Sequence, residues 1–172
     1  MVRPTLSELR TLPDKATLYQ WNFIVVKAPP AVPFPSSNEI NLRVLTSGVP
    51  KKTNQKIEYR IRGHRLFQPG VNESSGEITV TLVDTVDALV QKWIRDWREA
   101  CAEYNTQTHK KTSDVEAEIV LERLDRQDKV IWRYHLVGCF LSDYDPVGGD
   151  LGSDSDIAKP TLTITYVDYY DE

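Results

Sequence analysis

ITVTLVDTVDALVQKWIRDWREACAEY, residues 78–104, carries two periodicities in one stretch. Ile78, Val80 and Leu82 alternate with Thr79 and Thr81, the pattern of a strand with one buried face. From Val86 onward, Val86, Leu89, Val90, Trp93, Ile94, Trp97 and Cys101 recur at helical spacing. They predict an amphipathic helix over about 84–104 with those seven side chains as its core face. Asp87, Lys92, Arg95, Asp96, Arg98 and Glu99 take the other side. Asp84 or Thr85 is the expected cap, because a side-chain oxygen there accepts from a free backbone N–H. Such a helix needs a flat apolar partner, and strands on both sides of it in sequence point to a sheet face.

Working outward, residues 17–27 are rich in aromatic and β-branched side chains and read as a strand. Pro29, Pro30, Pro33 and Pro35 follow, and their missing N–H groups predict an exposed, semi-stiff loop. Ile40, Leu42 and Val44 suggest a second strand, broken at Ser47-Gly48-Val49-Pro50. Ile57, Tyr59 and Ile61 alternate with Glu58, Arg60 and Arg62, as in a half-buried strand that bends at Gly63. A loop with Pro69, Gly70 and Gly76 is expected next. Past a polar loop at 105–113, Val115, Ala117, Ile119 and Leu121 alternate with Glu116, Glu118 and Glu122. Residues 130–141 should pair with that strand as a hairpin. An Asp/Gly/Ser loop spans 142–159, and residues 160–169 form a last strand. The total is about seven strands and one main helix: an α+β chain, mainly an antiparallel β-sandwich with one flanking helix.

The 172 residues (19.7 kDa) suit one domain, 1–172, with 1–16 as an N-terminal arm or short helix. No apolar run is long enough for a membrane span, so no membrane anchor is expected, and the N-terminus lacks the pattern of a secretory signal. Net charge is −4, which argues against a protein that grips nucleic acid through its phosphates. The two cysteines, Cys101 and Cys139, are too few for a disulfide scaffold and are expected as buried thiols. The charge is unevenly spread. Residues 51–65 carry six cations against Glu58, whereas residues 142–172 carry eight carboxylates against Lys159. Residues 114–128 carry six carboxylates against Arg123 and Arg126. Opposite patches on one chain suit a head-to-tail contact between copies, which closes into rings or runs into filaments.

No catalytic constellation is found, and neither a metal nor another cofactor is expected. His64, His109 and His135 share no ligand spacing with each other or with a cysteine. The loop from Asp143 has Val147 and Asp154 where a calcium-binding EF-hand loop needs Asp or Asn and then Glu. Gly148-Gly149 lacks the lysine and helix start of a phosphate loop. Trp93, Trp97 and Trp132 read as core rather than as a sugar or base platform.

The order of these elements resembles the tail tube proteins of contractile-tailed bacteriophages. The likeness runs over about 17–172, from Leu18-Tyr19-Gln20-Trp21-Asn22-Phe23 through Val49-Pro50, Lys56-Ile57 and Gly63. It continues with Ile78 to Asp84 leading into the helix of Lys92-Trp93 and Asp96-Trp97, then Leu136 to Phe140 and Leu162 to Tyr170. The prolines at 29–35 and the long loop 142–159 depart from the pattern. The resemblance implies a virion tail subunit, assembled in the host cytoplasm, whose hexameric rings stack into a hollow conduit for DNA ejection. Its strands would join a lumen-lining barrel, and the related tubes belong to type VI secretion systems and R-type bacteriocins. The implied partners are further copies of itself, the tail sheath, the baseplate, the tail terminator, a tape measure protein in the lumen, and double-stranded DNA in transit. On that footing Glu116, Glu118 and Glu122 are expected to face the lumen. Ser47, Gly48, Pro50, Lys51, Lys52 and Lys56 are expected in a loop that stacks rings. A baseplate tube-initiator and a secretion-system tube subunit are near alternatives, and a monomeric β-sandwich binding module is a distant one.

Overall fold

The structure, a computed structural model, describes residues 19–103, 106–146 and 157–172. The expected N-terminal arm and the calcium-like positions Val147 and Asp154 lie outside the described residues. The strands are β1 (Trp21–Lys27), β2 (Val44–Ser47), β3 (Lys52–Ile61), β4 (His64–Ser74), β5 (Glu77–Leu82), β6 (Ala117–Leu124), β7 (Val130–Asp145), β8 (Thr161–Thr165) and β9 (Asp168–Asp171). The helices are α1 (Ser37–Arg43), α2 (Leu89–Cys101) and the single turn α3 (Thr112–Val115). Every ladder is antiparallel, as the mainly antiparallel reading expected.

β7 organises the fold. Its first half pairs with β6 on one side and β9 on the other, and its second half pairs with β8. The strand order is β1-β6-β7-β8-β5-β2, with β9 beside the first half of β7. Gly138 lies at the crossing with φ +66, and Val167 N–H donates to the Val137 carbonyl there at 3.0 Å. The bend divides one ladder into two layers, an inner sheet β1-β6-β7-β9 and an outer sheet of β8, β5, β2 and the end of β7. Phe23, Ala117, Ile119, Leu121 and Leu136 of the inner sheet share one core cluster with Ile78, Val80, Leu82, Leu162 and Ile164 of the outer sheet. The hairpin of β6 and β7 is as expected. The expected last strand divides at Tyr166-Val167 into β8 and β9, which follow β7 around the corner.

α2 closes the sandwich. Val90, Trp93, Ile94 and Trp97 are buried on its core face, while Leu89 and Cys101 are half-buried. Val86 is a correction: it is fully exposed in the turn before the helix. The helix starts late because Ala88, at φ +52, interrupts the helical backbone and serves as N-cap without a side-chain bond. Asp84 and Thr85 therefore do not cap it. The proline segment also differs from expectation. Pro29 and Val32 are buried, and Phe34 packs edge-on against Trp93 and Trp97 at 4.8 and 5.5 Å. An apolar anchor outweighs the exposure that the prolines suggest.

Residues 37–43 are a helix rather than the expected strand. Ser36 accepts from Glu39 N–H while the Glu39 carboxylate accepts from Ser36 N–H, a reciprocal cap at 3.3 and 3.1 Å. The two local bonds outweigh the weak alternation of Ile40, Leu42 and Val44. The loop expected around Pro69 and Gly70 is strand β4, and Trp132 is partly exposed on β7 instead of in the core.

Candidate assembly surfaces

Three surfaces stand out, and the first is a hairpin. β3 and β4 form a separate two-stranded sheet, turned at Arg62 and Gly63, whose φ values of +48 and +85 fit a tight two-residue turn. Residues 52–74 are exposed apart from a half-buried Gly70, so the half-buried strand expected at 57–61 is corrected. Cross-strand pairing puts Ile57, Tyr59, Ile61 and Leu66 on one face, and Lys56, Glu58, Arg60, Arg65 and Phe67 on the other. The first face is largely apolar, with Gln68 opposite Ile57 and His64 opposite Ile61 at its ends. The second is basic, with Lys56 and Arg65 lying over the Phe67 ring and Arg65 paired to Glu58. An isolated hairpin is marginal in water, so its apolar face calls for a partner.

The root of the hairpin is clamped to the sandwich. Lys52 Nζ donates to the Tyr169 carbonyl at 2.7 Å, lies 4.3 Å from the centre of that tyrosine ring, and is 4.0 Å from Asp168. On the other strand, Ser74 and Ser75 meet the Tyr166 hydroxyl at 3.2 and 2.8 Å. The six residues expected in a stacking loop thus occupy different settings. Ser47 ends β2, Gly48 N–H donates to the Thr79 carbonyl, Pro50 is buried, and Lys52 holds the root. Lys51 and Lys56 are exposed.

The second surface is the face of the inner sheet turned away from the core. Register places Glu118 and Glu122 of β6 there, with Glu116 just ahead of the strand, beside Asn22, Arg133, His135, Val137, Asp168, Tyr170 and Glu172. The structure therefore brings the three expected glutamates to one face. Glu122 is nearly buried and accepts from Arg133 Nε at 2.8 Å and Asn22 Nδ2 at 3.4 Å. Lys27 pairs with Glu118 at 3.3 Å. Five carboxylates (Glu116, Glu118, Glu122, Asp168 and Glu172) face three cations, Lys27, Arg133 and Lys52, so the surface remains acidic. His135 stacks on Tyr170 with centroids 4.7 Å apart.

The third surface comprises the two margins of the inner sheet, β1 and β9. β1 begins beside a cleft of about 360 Å³ lined by Trp21, Leu45, Val49, Leu121 and Tyr134.

Neither a known family profile nor a curated protein sequence matches the chain. Solved structures do. A chain of the sheath/tube terminator of PVC, an extracellular contractile injection system, superposes with TM-score 0.68 at 13% identity, over 94% of this chain and 99% of that one. A chain of the PVC sheath–tube complex gives TM-score 0.59 at 15% identity, over 99% of both. The SPP1 tail tube gives 0.53 at 11% identity, over 92% of this chain and 79% of that one. The chain has the tube fold of contractile injection systems and phage tails.

Within the tube fold, no group of three or more His, Cys, Asp or Glu side chains among the described residues could hold a metal ion. No described helix is long and apolar enough to cross a membrane. Cys139 is buried and its thiol is pushed up to about 12 by desolvation, with the nearby Glu118 and Glu116 adding to the shift. Burial also raises the Cys101 thiol. Both are poor nucleophiles, because the thiolate is the reactive form. The hairpin's full exposure and the split of the stacking residues escaped the sequence reading. Polar and charged positions alternating along both strands were the available signal.

Proposed function

We propose that this protein is a tube subunit of a contractile injection apparatus, with copies closing into six-membered rings that stack into a hollow conduit. The observation that carries the reading is the projecting hairpin with one largely apolar and one basic face and no apolar partner among the described residues. A stacked neighbour is the natural occupant of such a face, and the tube fold is shared with chains of sheath–tube and terminator assemblies. A terminator or baseplate ring shares the fold, and unlimited polymerisation separates a main tube from either. Sheath, baseplate, terminator and tape measure protein are the proposed partners.

The test is electron microscopy and light scattering of the purified chain beside the variant Tyr59→Ser/Leu66→Ser. Sixfold rings or tubes from the parent, lost in the variant at unchanged thermal stability, are expected. A parent that stays monomeric at high concentration and with a baseplate seed favours a monomeric binding module.

A second part of the proposal is that the conduit carries DNA. The observation favouring it is the shared acidic face of Glu116, Glu118 and Glu122. Facing the lumen, Glu116 and Glu118 repel phosphates and let a duplex slide, while Glu122, nearly buried, holds Arg133. Changing Glu116 and Glu118 to Lys should slow DNA ejection while tubes still assemble. Unchanged ejection from intact variant particles would refute this part.

A further inference from the structure

The margins of the inner sheet are not bare. On β1, residues 23 and 25 turn their N–H groups away from β6. Phe23 N–H donates to Asn41 Oδ1 at 2.7 Å, and Val25 N–H donates to Ser37 Oγ at 2.8 Å, both from α1. Asn41 is in turn steadied by its own amide, which donates to Asn22 Oδ1 at 3.3 Å. On β9, Tyr169 turns its backbone away from β7. Its N–H donates to Asp168 Oδ1 at 2.8 Å, and its carbonyl accepts from Lys52 Nζ at 2.7 Å. Side chains of the same chain thus occupy, on each margin, backbone positions that an adjoining strand would use. An uncovered edge is a template for another chain, and side-chain occupation of its donors and acceptors removes that template.

We infer that Ser37, Asn41 and Lys52 guard these two margins until the strand of a side-by-side neighbour takes their place. The inference rests on the reading of the chain as a ring-forming subunit. The guards satisfy the margin in the free subunit, whereas the neighbour's backbone satisfies it in the ring. Removing guards therefore weakens the free state and leaves the joined state intact, which shifts the balance toward assembly. Each hydrogen bond of this kind is worth about 1 kcal/mol net, so loss of the two α1 guards should lower the concentration needed for assembly roughly tenfold or more.

The test uses the full chain as wild type, Ser37→Ala/Asn41→Ala, Asn41→Asp and Lys52→Met. Assembly is followed by light scattering against protein concentration. Hydrogen exchange at the Phe23 and Val25 amides is read on the same samples held monomeric by dilution. The double variant should exchange faster at those two amides and assemble at lower concentration. Asn41→Asp keeps the acceptor for Phe23 N–H but loses the donor to Asn22 Oδ1, and should fall between wild type and the double variant. Lys52→Met should likewise assemble at lower concentration side by side, seen as rings without stacks, because the hairpin root is freed together with the margin. If wild type assembles and the uncapped variants, folded by circular dichroism, show the same threshold, the guard inference is overturned and the tube reading stands. If wild type never assembles, the tube reading fails; uncapped variants that also stay monomeric then overturn the guards as well.

Discussion

Gly138 marks the point where β7 leaves one sheet for the other, and two separate constraints hold it as glycine. Its φ of +66 lies in the left-handed region, and an added Cβ would sit 2.7 Å from Val167 Cγ2. Gly138→Ala should cost roughly 2–3 kcal/mol in urea denaturation. Val167 is largely exposed, and trimming it to Ala removes the 2.7 Å contact but leaves its Cβ at 3.1 Å and the backbone strain in place. The double variant should therefore recover part of the loss, and full recovery would show that φ contributes nothing. Cys139, the next residue, gives a pH prediction. Its folded thiol sits near 12 against an ordinary 9.0, so the unfolded chain gives up this proton first. The native state then holds more protons, and stability from this group is complete below about pH 9 and lost as pH rises toward 12. Denaturation curves across that window should slope less in Cys139→Ala than in wild type. Thiol reagents at pH 8 should leave Cys139 unmodified until the protein unfolds.

Among the elements, α2 and its two tryptophans allow a controlled comparison. Trp97 Nε1 donates to the Val115 carbonyl at 2.9 Å, whereas the buried Nε1 of Trp93 has no partner among the described residues. Both rings are buried on the same face and stack at 5.7 Å. Trp97→Phe should cost about 1–2 kcal/mol more than Trp93→Phe, because it leaves a buried carbonyl unsatisfied. Equal losses would assign both effects to packing alone. The core of α2 was legible in the sequence because 3.6-residue periodicity reports burial directly. Its start was not, since Ala88 takes a left-handed backbone that no local residue type announces. The α1 helix had a readable signal in Ser36 and Glu39, masked by the alternating apolar residues behind it. The hairpin was harder still. Ile57, Tyr59 and Ile61 alternate as they would over a core, and period alone cannot say whether the surface they meet belongs to the same chain. For the same reason the three glutamates could be placed on one face from register, but what that face looks upon could not.

At the scale of the molecule, charge is sorted by surface. The hairpin and its approach are basic, and the outward face of the inner sheet is acidic. Exposed ion pairs add little to the stability of one chain, about 0–1 kcal/mol each. The sorting should therefore show in association and scarcely in unfolding. Raising ionic strength from about 0.01 to 0.15 M shortens the screening length from about 30 to 8 Å. Assembly followed by light scattering should slow over that range while the melting temperature stays nearly constant. Lys51→Glu/Arg60→Glu/Arg62→Glu should assemble poorly at low salt and lose most of the salt response, and an unaltered response would exclude a steering role for the hairpin.

The bent β7 also sets the order of events during synthesis. β1 waits for β6, about a hundred residues further along the chain, and β5 waits for β8, some eighty residues on. β8 and β9 run along β7 on either side of the bend, so neither layer has its full complement of strands before residues 161–171 have been made. Pairings this distant in sequence are slow to form, because chain entropy is lost before contacts compensate. A chain made only as far as residue 150 has β1, β5 and β6 but lacks β8 of the outer sheet and β9 of the inner one. That chain has no closed sandwich from which to offer its hairpin. On the proposed reading, ring formation is thereby deferred until residues 161–171 have been made.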